Sequence, residues 1–223
     1  MGELERVFGD VCAVEAEDGV RFERSSVKGA EIREGMAYQG VRIRLFADLG
    51  GARVPVQLDI GFGDVVVPAP EEVDYPVLLD FPAPRLRVYP KYSVVAEKFE
   101  AMVRFGEQNS RMKDFYDVFV LLETQEFDGA ILQTAIQATF ERRSTVLPVE
   151  LPVALTPAFS ASERVAGLWS GFLKRSGIEA RAPTLELAIQ RIGGFLKPVL
   201  GSSRIGEEYR AHWVRGGPWR SKP

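Results

Sequence analysis

Histidine and cysteine are almost missing from this chain of 223 residues: each occurs once, as His212 and Cys12. A lone cysteine excludes an internal disulfide and fits a reducing compartment. One His with one Cys cannot build the usual zinc sites, and a histidine-based triad would have to use His212. No apolar run approaches the roughly 18 residues of a membrane span. The opening Met1-Gly2-Glu3-Leu4-Glu5 does not read as a signal peptide, so a cytoplasmic protein with no membrane contact is expected. Charge of one sign is lacking as well, since 28 Lys+Arg against 31 Asp+Glu leave a net charge of −3. That balance argues against a protein whose main work is coating nucleic acid, while leaving room for a local basic patch. There is no G-x-x-x-x-G-K-[ST] phosphate loop, and Gly61-Phe62-Gly63 lacks the third glycine of a dinucleotide fingerprint. Chemistry is left to carboxylates, Lys and Arg.

What is present reads as a globular α+β chain. Hydrophobic residues make up 46% and charged residues 26%, which excludes a disordered or collagenous chain and allows one large domain or two small ones. Residues Leu4 to Val14 read as a short helix and Gly19 to Glu23 as a short strand. Val41, Ile43 and Leu45 then alternate with Arg42 and Arg44, and Val54, Val56, Leu58 and Ile60 alternate with Arg53, Gln57 and Asp59. Period two marks two half-buried strands. Gly50-Gly51 between them suits a two-residue hairpin turn, where both positions need positive φ. If that is the turn, Leu45 faces Val56, Ile43 faces Leu58 and Arg42 faces Asp59. Pro55 cannot donate a ladder hydrogen bond, so its strand is an edge or a bulged one.

Beyond this hairpin, Val67 to Pro90 is rich in proline and reads as short strands and turns, including Tyr75–Leu79 and Leu86–Tyr89. From residue 90 the period becomes helical. Val94, Val95, Phe99, Met102 and Val103 share one stripe, with Gly106 as a stop. Ser110 is placed to cap a second helix that carries Phe115, Val118, Phe119 and Leu122 inward, and Asp128 a third that runs to about Arg143. A Pro-rich crossing (about 145–157) precedes two more amphipathic helices, about Ser162–Arg175 and Thr184–Leu200. The tail from Ser202 reads as irregular. Strands first and helices after make an α+β fold.

Three features break the local rules. Asp59 ends a strand just before a glycine-rich turn, where a carboxylate can reach a metal ion or simply pair with Arg42 across the hairpin. Lys98 falls inside the apolar stripe of its helix, where it either snorkels to the edge or points into a cleft and holds a phosphate. Glu97 and Glu100 lie off the stripe and call for no special role. Ser110-Arg111-Met112-Lys113-Asp114-Phe115-Tyr116-Asp117 puts two cations at a helix start, against the dipole. It is either an anion site or a set of short-range pairs such as Arg111 with Asp114.

Three segments carry a resemblance: Gln57-Leu58-Asp59-Ile60-Gly61-Phe62-Gly63-Asp64, Val95-Ala96-Glu97-Lys98-Phe99-Glu100-Ala101-Met102 and Asn109-Ser110-Arg111-Met112-Lys113-Asp114-Phe115-Tyr116-Asp117. In order and spacing they resemble the AbiEii/AbiGii toxin family of nucleotidyltransferases, more loosely from about Val7 to Leu200. The resemblance implies a DNA polymerase β-like nucleotidyltransferase fold, with residues 1–89 as the remainder of its α/β core and 90–223 as a helical C-terminal region. It implies a toxin of a bacterial toxin–antitoxin or abortive-infection (phage-defence) system that moves a nucleotide from an NTP to an acceptor, in some relatives tRNA. Mg²⁺ is the implied cofactor and an antitoxin protein an implied partner. By position, Asp59 looks like the third acidic residue of the active site and a metal ligand. Lys98 matches the lysine expected on the triphosphate, and Asp114 and Asp117 match the acidic pair of the next helix. Asp59, Lys98 and Asp114 are thus the catalytic candidates; Lys98, Arg111, Lys113, Asp117 and Arg42 are the substrate-binding ones.

The family's opening Gly-Ser turn and D-x-D pair have no counterpart here, since Glu15-Ala16-Glu17-Asp18 lacks the preceding glycine turn. Those carboxylates hold the metal ions that clamp the triphosphate. Two readings follow: a nucleotidyltransferase impaired as written, or an inactive remnant that binds nucleotide, RNA or an antitoxin. An unpaired sheet edge adds the expectation of a homodimer.

Overall fold

Two glycines set the register of the first strands. In the computed structural model, which describes residues 2–34 and 38–221 with the side chains of 33–39 excepted, Gly50 and Gly51 both take positive φ, +60° and +86°. They close a hairpin between β3 (Tyr38–Leu49) and β4 (Ala52–Gly61). Leu45 stands opposite Val56, Ile43 opposite Leu58 and Arg42 opposite Asp59, the register expected from the alternation. On its other side β3 pairs antiparallel with β1 (Val20–Phe22) near its end and with β2 (Lys28–Glu34) along its start. The β2 strand has no clean period-two pattern and escaped the sequence reading. Among the described residues β4 pairs only with β3, so Pro55 sits on an edge strand, where its missing N–H costs no ladder bond.

The chain forms two compact units, residues 1–64 and 65–223. In the first, helix α1 (Gly2–Val11) covers one face of the sheet. Leu4, Phe8 and Cys12 pack over Val27, Ile43 and Leu45, with Val56, Leu58 and Ile60 around them. Burial of each large aliphatic side chain contributes about 1.5–3 kcal/mol. The Glu5 carboxylate accepts from the Gly29 N–H at 2.7 Å, fixing the helix along β2. The opposite face carries Arg42, Arg44, Gln57 and Asp59.

The second unit opens with a two-stranded ribbon, β5 (Glu71–Asp74) and β6 (Arg85–Val88). The expected strand at Tyr75–Leu79 is instead the connection between β5 and β6, where Pro76, Pro82 and Pro84 deny the ladder its donors. Helices α2 (Lys91–Phe105), α3 (Met112–Thr124), α4 (Gly129–Arg142), α5 (Pro157–Ser160), α6 (Glu163–Ser176) and α7 (Leu185–Ile205) build the core. Phe99, Met102, Phe115, Leu122, Leu132, Ile136, Ile192 and Phe195 are fully enclosed. Asp128 caps α4 as expected, its Oδ1 accepting from the Ala130 and Ile131 N–H groups. Ser110 does not cap α3. Asn109 Oδ1 takes the Arg111 N–H at 2.8 Å and Arg111 occupies the cap position.

The tail departs most from expectation. Helix α7 continues to Ile205 despite Pro198, and the residues after it form β8 (Ala211–Trp213) and β9 (Trp219–Ser221). They pair with β7 (Phe127–Asp128) into a three-stranded sheet. Trp213 donates its indole N–H to the Leu122 carbonyl at 2.7 Å, and Trp219 donates to Phe195 at 2.9 Å. The Phe195 ring lies 5.3 Å from Trp219, stacked, and 4.9 Å from Trp213, edge-on. Three-residue strands are too short for periodicity to reveal, so aromatic packing, not pattern, orders this tail.

Candidate functional site

Lys98 sits at the margin of α2's buried face, one residue before the enclosed Phe99. Its Nζ lies 2.8 Å from Asp114 Oδ1 and 2.8 Å from Asp117 Oδ2, both on α3. The three-residue spacing of the two aspartates puts them on the face of α3 that meets α2. Arg111 Nε reaches the other Asp114 oxygen at 2.5 Å, and Lys113 Nζ reaches Asp117 Oδ2 at 2.6 Å. Lys98, Arg111, Lys113, Asp114 and Asp117 therefore form one network with three cations against two carboxylates. Of the two sequence alternatives for the α3 start, the structure shows the short-range pairs. The short-range pairs exist, and they are joined to a cation from another helix.

Burial governs the titration of this network. Around Asp114, 5% exposed at its side chain, desolvation favours the neutral acid. Hydrogen bonds from Arg111 and Lys98, with their charges, outweigh it and hold the carboxyl below its ordinary range. For Lys98 burial likewise opposes the charge, but the bonds to Asp114 and Asp117 win and push its pKa up. The lysine is a fixed ammonium, suited to holding an anion and unsuited to acting as a base near neutrality.

Asp59 and Arg42 lie in the first unit. Arg42 grips Asp59 with both arms, Nε to Oδ1 at 2.7 Å and Nη2 to Oδ2 at 2.8 Å. That bidentate bond is the main cause holding the Asp59 carboxyl below its usual range, with the Arg42 and Arg44 charges adding to it. Both carboxylate oxygens are thus engaged. Among the described residues no group of three or more His, Cys, Asp or Glu side chains is arranged to hold a metal ion. Mg²⁺ favours near-octahedral oxygen ligands, several of them waters and substrate phosphates, and of these Asp59 could supply one carboxylate.

Two residues set aside by the sequence reading matter structurally. Glu100 is completely buried, its carboxylate accepting from Arg143 Nη1 at 2.9 Å and the Thr145 hydroxyl at 2.7 Å. Glu97 accepts from the Tyr89 hydroxyl and lies 3.5 Å from Arg143 Nη2. The single-stripe reading of α2 fails because α2 packs against α3 and α4 at once, so its buried arc is wider than one stripe. The partner cation, 43 residues further on, gives no local signal. His212 lies in β8, its Nε2 3.5 Å from Glu126.

Compared with known proteins, the chain matches a family model described as nucleotidyl transferase AbiEii toxin, type IV TA system, over residues 1–191. No curated protein and no solved structure matches it. No helix among the described residues is long and apolar enough to cross a membrane.

Proposed function

Since the chain belongs to the nucleotidyl transferase AbiEii toxin family of type IV toxin–antitoxin systems, we propose that its Lys98 network receives the phosphates of an NTP whose nucleotide is destined for an acceptor such as tRNA. In this reading it is a cytoplasmic toxin with an antitoxin as counterpart, and it serves in phage defence. The observation that carries the reading is the half-buried Lys98 ammonium held between Asp114 and Asp117. An incoming phosphate replaces Asp117, which Lys113 is placed to retain. Arg111 and Lys113, at the start of α3, add charge where the helix dipole already favours an anion. In transfer, an acceptor hydroxyl forms the new P–O bond to the α-phosphorus and pyrophosphate leaves. Catalysis of that kind is mainly positioning and electrostatic stabilisation.

The carboxylates present do not make a metal site by themselves, so no step here runs through Mg²⁺. Asp59 contributes one carboxylate, engaged by Arg42, and the residues described here are expected to transfer poorly. The same observation favours a second reading, in which the chain binds nucleotide, RNA or antitoxin without catalysis. Incubation with labelled NTPs, Mg²⁺ and a total RNA pool, alongside an ATP-binding titration, separates the two. Salt-sensitive ATP binding lost in Lys98→Met, with little transfer, supports phosphate capture by an impaired enzyme. Strong transfer abolished by Asp59→Ala removes the impairment. ATP binding equal in wild type and Lys98→Met overturns the role given to Lys98.

A further inference from the structure

On the exposed face of the first unit's sheet, Arg42 and Arg53 are ion-paired and Arg21 stands across from a carboxylate without a pair. Arg42 holds Asp59. Arg53 holds Glu23 and lies 3.7 Å over the Phe46 ring. Arg21 stands opposite Asp48 in the β1–β3 register. Lys28 and Arg44 differ, because they stand directly opposite each other on β2 and β3. The third member of their row, on β4, is the neutral Gln57, whose side-chain oxygen meets Arg44 Nε at 3.4 Å. Both cations are exposed, and neither has a carboxylate within ion-pair distance among the described residues.

Directly opposed residues on an antiparallel ladder have Cβ atoms about 4.5–5.5 Å apart, and like charges there destabilise the pair. An anion laid across the row relieves that repulsion. We infer that the Lys28–Arg44–Gln57 row is a seat for the phosphodiester backbone of a single-stranded nucleic acid. The row is two residues along β3 and β4 from Arg42 and Asp59, about 6.8 Å, on the same face. A backbone seated there passes beside the candidate catalytic carboxylate. An open sheet face suits a strand running across it, with the Lys28 ammonium and the Arg44 guanidinium for phosphates, while Gln57 bridges Arg44 and Asp59. It offers no concave nest of backbone N–H groups of the kind that wraps a triphosphate. The inference rests on the proposed function in taking this strand to be the acceptor, and it adds Lys28, Arg44 and Gln57 as residues that position it.

The test is fluorescence anisotropy of a labelled oligouridylate against the full chain over a salt series, with ATP titrated in parallel. Each phosphate contact on a single strand contributes about 0.7 to the slope of log K against log salt, so Lys28→Gln with Arg44→Gln should lower the slope by about 1.4. ATP affinity should stay unchanged. Arg53→Gln, whose charge is already matched, should leave the slope intact. Lys28→Glu provides the check on folding. It replaces a repulsive cross-strand pair with an attractive one, so thermal stability should rise while oligouridylate affinity falls. An unchanged slope in the double variant overturns the inference, as does an equal loss in Arg53→Gln or a loss of ATP binding in place of RNA binding. If Lys98→Met binds ATP like wild type while the slope result stands, the Lys98 reading alone falls. If Lys98→Met loses ATP and the slope is unmoved by Lys28 and Arg44, only this inference falls.

Discussion

Lys98→Met tests whether the network joining α2 to α3 stabilises the second unit. Removing one partner of a fully buried ion pair costs about 3–5 kcal/mol, whereas a surface pair contributes about 0–1 kcal/mol. The Lys98 side chain is 18% exposed and Asp114 5%, which places the pair nearer the buried limit. Each aspartate keeps another cation after the change, Arg111 for Asp114 and Lys113 for Asp117, and this lowers the penalty. The expected cost is about 2 kcal/mol. Trp169, Trp213 and Trp219 are the three tryptophans of the chain, and all lie in the second unit, so their fluorescence in a urea titration reports that unit alone. With a slope of about 2 kcal/mol/M, the midpoint should fall by about 1 M.

Adding Asp114→Leu should not add its full separate cost, because the Lys98–Asp114 pair is already broken in Lys98→Met. The cycle should show a coupling of about 1–2 kcal/mol. The pH dependence has a fixed sign. The Asp114 pKa is lowered, so its contribution is complete above the unfolded carboxylate value of about 3.9 and is lost as pH falls through the folded value. The Lys98 pKa is raised, so its contribution is complete below about 10.4 and is lost as pH rises through the folded value. Coupling should therefore be flat near neutrality and decay in acid. A midpoint shift under about 0.2 M, or additive single effects, would refute the network as a source of stability.

Glu100→Gln should be costlier than its place on the helix suggests. It leaves Arg143 facing a neutral amide, with Glu97 as its remaining carboxylate, so the tryptophan-detected loss should reach about 2 kcal/mol; a loss under about 0.5 kcal/mol would mean that the Arg143 contact is dispensable. Arg42→Ala should leave stability nearly unchanged, because the pair is on an exposed edge, yet the NMR-titrated Asp59 pKa should rise toward the ordinary carboxylate value. An Asp59 pKa unmoved by that substitution would show that the bidentate bond does not exist in solution.

The sequence is most informative where one local rule decides. Gly50-Gly51 fixes a turn, the turn fixes a register, and Arg42 is thereby set against Asp59 without any knowledge of the rest. The same holds for the Asp128 cap and for Asp114 and Asp117 sharing a face. What escaped depends on partners distant in the chain. Glu100 looks like a solvated residue until Arg143 is brought to it, and β2 becomes a strand only because β3 offers it a ladder. The AbiEii family membership was legible in the Gln57–Asp64, Val95–Met102 and Asn109–Asp117 segments. The unmatched Lys28–Arg44 pair was not, since it appears only after β2 is paired.

The three-stranded sheet of the second unit has a consequence for the order in which the protein is made. Leu122 accepts its hydrogen bond from an indole 91 residues later, and Gln133 is tied to Glu207 and Tyr209. At about 5–20 residues per second, roughly 4–18 s of synthesis separate these partners. During that interval α2, α3 and α4 are made before the Trp213 and Trp219 rings that pack on Phe195. The second unit, with the Lys98 network on its α2–α3 face, completes its packing only after Trp213 and Trp219 have been made.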